Sequence, residues 1–308
     1  MKIGVTGGAG FIGSNLARTL TQHGYSVVIF DNLISGKLSN LEQIKCEFIH
    51  GDLIDRVRVA EFVSKVDWVV HLGALGSVPR SIENPTNSFN SNVLGTLNVL
   101  EEIRKHKVPI IFSSSSSVYG KNETSPKKEL DWLLPLSPYA STKLSCESLI
   151  LSYANTYNLN ALVFRLFNVF GPYQRGDHPY AAVIPKWSYS AIRGERIIVY
   201  GDGNQSRDFT YVDTVTDTIR QSIDLGIFSD KPVNLAAGKS ISLNYVLAKF
   251  KEYYGALEID FQPQRPGDIR NSLSDPSELR KLFPEFYSID FDRALQRTLE
   301  WLTRFYKN

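Results

Sequence analysis

Apolar residues fall along this chain in two rhythms. Short, largely apolar runs occupy Lys2–Thr6, Ser26–Asp31, Glu47–His50, Trp68–Leu72, Ile110–Ser114 and Ala161–Phe167. They are apolar nearly throughout rather than at alternate positions, which predicts strands buried on both faces. Between them, segments such as Ser14–Thr21 and Asn92–Lys105 repeat apolar residues at helical spacing. Strand, helix, strand repeated in this way predicts an α/β fold: a doubly wound parallel sheet with right-handed crossovers and helices on both faces. After Gly171 the regularity breaks. Pro172, Pro179 and Pro185, with Gly171, Gly176, Gly201 and Gly203, punctuate a loop-rich region. A further apolar run, Val233–Ala236, is expected to return to the main sheet. The predicted division is therefore a doubly wound domain over residues 1–170, with a return segment at about 206–236. Residues 171–205 and 237–308 make a smaller α/β lobe.

Composition narrows the partners more than the fold. Over 308 residues the formal net charge is +2, too small to argue for nucleic acid or an anionic membrane surface. Affinity for phosphate must come from placed groups. The opening MKIGVTGGAGFIGSNL reads as a strand and turn rather than a signal peptide. The most apolar runs, such as Val66–Leu75, fall far short of the roughly 18 residues that span a bilayer. With only Cys46 and Cys146 there is no disulfide framework, so a reducing, cytoplasmic location and no membrane association are expected. No His/Cys/Asp/Glu grouping has metal-ligand spacing, and no metal is expected.

Three elements point to a dinucleotide. GVTGGAGFIG follows the first strand and opens the first helix, with Gly7, Gly10 and Gly13 three apart. Gly7 permits the tight turn, Gly10 lets the backbone approach a pyrophosphate, and Gly13 lets helix and strand pack closely. The pyrophosphate would lie on the N–H groups at the start of the next helix, where Phe11 and Ile12 follow Gly10. The second strand ends in Asp31, 18 residues after Gly13, with Asn32 beside it. A carboxylate there accepts ribose hydroxyls and repels a 2′-phosphate, which favours NAD over NADP. HGDLID then places Asp52 and Leu53 after the third strand, where an adenine edge would lie.

The run SSSSSVYG at 113–120 follows the apolar VPIIF, at the carboxyl end of a strand, where doubly wound folds bind ligands. A long connection, KNETSPKKELDWLLPLSP, comes next and is a candidate lid or binding loop. It ends at YASTK, with Tyr139 and Lys143 on one helical face. An ammonium close to a phenol favours phenolate, so Lys143 is expected to lower the Tyr139 pKa and make it a general base. His71, at a strand end, reads as a structural histidine rather than a ligand.

The glycine triplet, the serine run and Tyr-x-x-x-Lys together resemble the extended short-chain dehydrogenase/reductase family, with its Rossmann fold. The resemblance extends through RLFNVFGPYQ, YAAVIPKW, GDGNQSRDFTYVD and RPGDIRNSLSD, and within the family is nearest to nucleotide-sugar 4-epimerases. It implies catalytic roles for Ser115, Tyr139 and Lys143, with a transient 4-keto sugar. It also puts Gly7, Gly10, Phe11, Ile12, Gly13, Asp31, Asn32, Asp52, Leu53, Tyr139 and Lys143 around NAD. Family members that eliminate water or carbon dioxide carry acidic groups where this chain has Ser116 and Ser117. For the UDP-sugar, the resemblance implies Ser77, Ser115, Ser116 and Asn168 at the sugar, and Arg207 and Arg265 on the diphosphate, with Asp268 nearby. Gln174, Ala182 and Val183 fall where N-acetylglucosamine epimerases line the pocket, and Ser272 at a gate where glucose-only epimerases carry tyrosine. UDP-N-acetylglucosamine is thus the expected substrate, with UDP-glucose also accepted. Arg80 keeps UDP-glucuronate open, a decarboxylase or dehydratase is a second class, and a non-catalytic NAD sensor a third. Apolar stripes on Asn87–Lys105 and Ala140–Tyr157 match helices that relatives pair in a homodimer.

Overall fold

The computed structural model describes residues 1–264 and 269–307. The apolar runs become strands β1 (Lys2–Thr6), β2 (Ser26–Asp31), β3 (Cys46–His50), β4 (Trp68–His71), β5 (Ile110–Ser115), β6 (Ala161–Leu166) and β7 (Val233–Leu235). They form one sheet in the order β7-β6-β5-β4-β1-β2-β3. The pairs β1–β2, β2–β3, β1–β4, β4–β5 and β5–β6 are all parallel. Strand order reverses between β1 and β4, and a crevice at their carboxyl ends is where this topology takes a ligand. Register sets the neighbours there: Thr6 lies opposite Phe30 and His71, and Ser114 opposite Arg165.

Every residue of β4 and β6 is buried, as unbroken apolar runs require. Val28, Phe30, Val69, Ile110, Phe112 and Val163 pack with Phe62 and Ile150 of the flanking helices into one core. Burying each such side chain contributes about 1.5–3 kcal/mol. The first helix is Phe11–Gln22, starting three residues before the expected Ser14 because Gly10 already caps it. The apolar stripe at Asn92–Lys105 is not one regular helix. A helix at Pro85–Phe89 passes through a π turn at Asn90–Leu94 into Gly95–His106. Helix Pro138–Tyr157 opens on Ser137, whose hydroxyl accepts the Ala140 N–H at 3.2 Å, and Pro138 sits where no N–H is needed.

Contacts divide the chain into two units. Met1–Gly120, Trp132–Leu166 and Thr216–Val233 form the first; Lys121–Asp131, Phe167–Val215 and the chain from Asn234 onward form the second. In the second, Ser206–Arg207 lies between Ile241–Ser242 and Asn271–Ser272 in a small sheet, and Ile197–Tyr200 pairs with Ile259–Gln262. The connection after the serine run is anchored here. Lys127 N–H donates to the Leu273 carbonyl and its own carbonyl accepts the Asp275 N–H, both at 2.8 Å. Among the described residues no helix is long and apolar enough to cross a membrane.

Candidate active site

The glycine turn has the shape its spacing predicts. Gly7 is left-handed at φ +66°, and its N–H donates to the Phe30 carbonyl. A Cβ on Gly13 would meet the Gly7 carbonyl oxygen at 2.3 Å, so helix and turn touch where no side chain fits. Gly10 caps the helix with no side chain capping its first turn and no acid there, while Phe11 and Ile12 start it half-buried. Those unclaimed N–H donors and the positive helix end suit a pyrophosphate.

Asp31 is buried and braces the turn: its carboxylate accepts the Ala9 N–H at 3.0 Å and the Leu33 N–H at 2.7 Å. Burial raises its pKa, and the Leu33 and Ala9 N–H groups oppose that. Asn32 donates to Asp52 at 2.8 Å, and Asp52 also accepts the Ile54 N–H, so the ends of β2 and β3 are tied together. Leu53 is buried beside them and its carbonyl accepts the Asn98 amide at 2.9 Å.

Three successive serines at the end of β5 each meet the helix that carries Tyr139. The Ser113 carbonyl accepts from Lys143 Nζ at 2.7 Å, the Ser114 hydroxyl donates to Glu147, and Ser115 hydrogen-bonds Tyr139. Ser117 donates both its N–H, at 3.2 Å, and its hydroxyl, at 2.9 Å, to Ser115 Oγ. The Ser115 proton is therefore not spent on Ser117. Ser116 lies half-buried in the same turn. One expectation is corrected. Burial pushes Tyr139 up to about 12; the Ser115 hydrogen bond opposes this, and Lys143 is not among the groups acting on the phenol. The reason is geometric: the ammonium is held by the Ser113 carbonyl and lies 4.7 Å over the Phe112 ring. Burial also pulls Lys143 down to about 8.

His71 is structural, and its tautomer follows from its neighbours. The Thr96 hydroxyl spends its proton on the Asn92 carbonyl at 2.6 Å, so it must accept from His71 Nε2 at 3.0 Å. His71 Nδ1 then accepts from Thr6 Oγ1 at 2.7 Å, which in turn accepts the Gly73 N–H. Burial and the Lys143 charge hold His71 neutral, with a pKa of about 3. Sequence reasoning missed Glu147 and Arg165. Arg165 Nη2 donates to Glu147 at 2.8 Å and its Nη1 to the Tyr119 hydroxyl at 3.1 Å, all three residues being buried. The signal was available: an arginine inside a strand buried on both faces needs a partner.

Ser77 caps helix Val78–Glu83, accepting the Arg80 N–H at 3.2 Å. In the second unit Asn168, left-handed at φ +33°, donates to the Asp208 carbonyl at 3.2 Å. Ser272 is paired in register with Arg207, so the predicted gate and one predicted phosphate ligand are strand neighbours. Arg207 donates to the carbonyls of Ser206 and Arg270, and lines a cavity of about 240 Å³ together with Asp202, Gln205 and Arg270. Ala182 caps the helix that Val183 begins. Gln174 donates through Nε2 to the Val169 carbonyl at 3.1 Å, while its buried Oε1 has no hydrogen-bond partner among the described residues. Arg265 and Asp268 lie outside the described residues.

Comparison with known proteins adds to this geometry. The family model described as "NAD dependent epimerase/dehydratase family" matches residues 3–234. Among solved structures, the chain is similar to UDP-N-acetylglucosamine 4-epimerase from Methanobrevibacter ruminantium M1, in complex with UDP-N-acetylmuramic acid. The TM-score is 0.93 and the identity 37%, over 98% of each chain. It is also similar to UDP-glucose 4-epimerase from Thermus thermophilus in complex with NAD, with a TM-score of 0.88 and 31% identity over 98% of this chain and 99% of that one. A UDP-N-acetyl-alpha-D-glucosaminuronate decarboxylase from Bacillus cytotoxicus is 32% identical over 96% of both chains. Overall similarity therefore does not separate epimerase from lyase; the residues at the site must.

Proposed function

This chain belongs to the NAD dependent epimerase/dehydratase family, and we propose that it is an isomerase, a 4-epimerase of UDP-sugars. UDP-N-acetylglucosamine and UDP-N-acetylgalactosamine are the favoured pair, and UDP-glucose and UDP-galactose are accepted as well. The observation that carries this reading is the hydroxyl-only floor beside Tyr139. Ser116 and Ser117 stand where a lyase needs a carboxylic acid, and Ser117 donates to Ser115 Oγ, which leaves the Ser115 proton unspent beside Tyr139.

The uncapped glycine turn, Asp31 and Asp52 fit NAD and would hold its pyrophosphate, ribose and adenine. Bound NAD supplies a reversible hydride acceptor at C4 and, when oxidised, a positive charge that favours the phenolate. Tyr139 would take the proton of the sugar 4-hydroxyl and return it to the C4 oxygen once hydride has been restored to one face or the other of the 4-keto sugar. Ser115 donates to the C4 oxygen as charge develops there. Lys143, fixed on the Ser113 carbonyl, holds positive charge one helical turn away. In the second unit Arg207, with Arg265, clamps the diphosphate, for which a guanidinium fork is suited. The orphaned Gln174 Oε1 is an acceptor in want of a donor, and a sugar acetamido N–H is such a donor. Both cysteines are unpaired, so a cytoplasmic setting belongs to the same reading. So does a homodimer, paired through the helices that expose Phe89, Leu94 and Tyr157.

The deciding experiment offers UDP-N-acetylglucosamine, UDP-glucose and UDP-glucuronate separately and identifies the products. Interconversion at C4 of the N-acetylated sugar is expected, and Ser272→Tyr should abolish it while sparing UDP-glucose. A 4-keto-6-deoxy sugar or a pentose product would place the protein among the lyases. Turnover of UDP-glucuronate alone would move it to the uronate epimerases, and isomerisation of nothing would make it a sensor.

A further inference from the structure

Tyr139, Lys143 and Glu147 follow one another at four-residue spacing on helix Pro138–Tyr157, so they share a face one turn apart. Each of the three meets a serine at the end of β5, Lys143 the Ser113 carbonyl, Glu147 the Ser114 hydroxyl and Tyr139 Ser115. Glu147 is the most constrained member. Its two oxygens accept Arg165 Nε at 3.0 Å and Nη2 at 2.8 Å, and one of them also accepts the Ser114 hydroxyl. Arg165 is itself fixed in the opposite strand register and bonded to the Tyr119 hydroxyl. A buried carboxylate held on two sides is costly to bring out of water, and such pairs are best retained where they fix one arrangement.

We propose that Glu147 is a positioning residue for the proton chemistry of Tyr139. Locked to Ser114 and Arg165, it sets the register of the helix on β5 and supplies the negative charge that keeps Lys143 an ammonium. The groups facing Lys143 support this. On its own helix these are Cys146 and Glu147; from β4 comes His71, and from β5 the Ser113 carbonyl and the Phe112 ring. His71 is neutral; Cys146 and then Glu147 oppose the effect of burial on Lys143, and of the two Glu147 is the carboxylate. Arg165 Nη2 answers the Glu147 charge, while Lys143 donates to the Ser113 carbonyl.

This inference rests on the proposed role of Tyr139 and Lys143, and its test separates the two. In protein labelled with ¹³C-lysine, the Cε resonance of Lys143, assigned with Lys143→Met, is titrated in wild type and in Glu147→Gln. The wild-type pH profile of turnover tests the function; the displacement of the lysine titration tests Glu147 whether or not the substrate is right. Glu147→Gln should move that titration about one pH unit lower, a tenfold change in ionisation. It should lower kcat about tenfold or more with KM within twofold. An unmoved lysine titration overturns the proposal. Should Glu147→Gln fail to fold, Ser114→Ala decides: it leaves both charges in place and should lower kcat several-fold at unchanged KM. Wild-type kcat in Ser114→Ala would refute the register role.

Discussion

Two glycines of the first turn look alike in the sequence and are predicted to fail differently. An alanine Cβ at position 13 would lie 2.3 Å from the Gly7 carbonyl oxygen and 2.6 Å from Gly8 Cα. Both are backbone atoms, so no rotamer change relieves the clash, and the helix must retreat from the turn by about 1 Å to reach ordinary contact. Overpacking of that kind costs about 1–3 kcal/mol, and a backbone-on-backbone clash belongs at the upper end. About 3 kcal/mol corresponds to a fall of roughly 6–12 °C in Tm for a unit of this size. At position 10 the Cβ meets only the Gly7 oxygen, at 3.2 Å, so Gly10→Ala should cost less than about 1 kcal/mol. That methyl would nevertheless stand where the pyrophosphate approaches. Gly10→Ala should therefore keep its Tm and bind NAD at least about tenfold more weakly, a loss of about 1.4 kcal/mol. Gly13→Ala should lose both. Melting is measured calorimetrically on cofactor-stripped protein, because bound NAD would add its own stabilisation, and affinity by titrating NAD back. Wild-type NAD affinity in Gly10→Ala, or a Gly13→Ala that melts within a degree of wild type, would refute the reasoning.

Other outcomes follow from the same geometry. Tyr139→Phe should retain NAD and lose nearly all epimerisation, by chromatographic product assay; full activity would sink the general-base assignment. Lys143→Met should be inactive yet more stable than wild type at pH 7, since burial depresses the lysine from 10.5 to about 8. Between those pH values the unfolded chain binds more protons, so wild-type stability rises with pH across that window, and below it the cost is full, on the order of 3 kcal/mol. Denaturant melts at pH 7 and 10 should accordingly show the variant's advantage shrinking at the higher pH. Arg165→Leu leaves Glu147 buried without its partner and should cost about 3–5 kcal/mol, read from urea unfolding.

What the sequence determined by itself is local. Runs such as WVVH and ALVFRL could only be strands buried on both faces, and their alternation with helical stripes fixed a parallel, doubly wound sheet. The glycine triplet, the acid after β2 and Tyr-x-x-x-Lys are readable because each works through spacing along one turn or one helix. The tertiary structure decided everything that depends on which surfaces meet. Lys143 is four residues from Tyr139, which suggested that it tunes the phenol. Its ammonium instead turns to a carbonyl on the neighbouring strand, and burial, a property of the whole fold, raises Tyr139. Glu147 and Arg165 are 18 residues apart and meet only because β5 and β6 pair in one register, putting Ser114 beside Arg165 beneath the helix. The serine run shows both sides. Its place at a strand end was legible in the chain, but which turn of the helix each serine meets, Ser113 the middle one, Ser114 the last and Ser115 the first, is decided by how helix and strand pack.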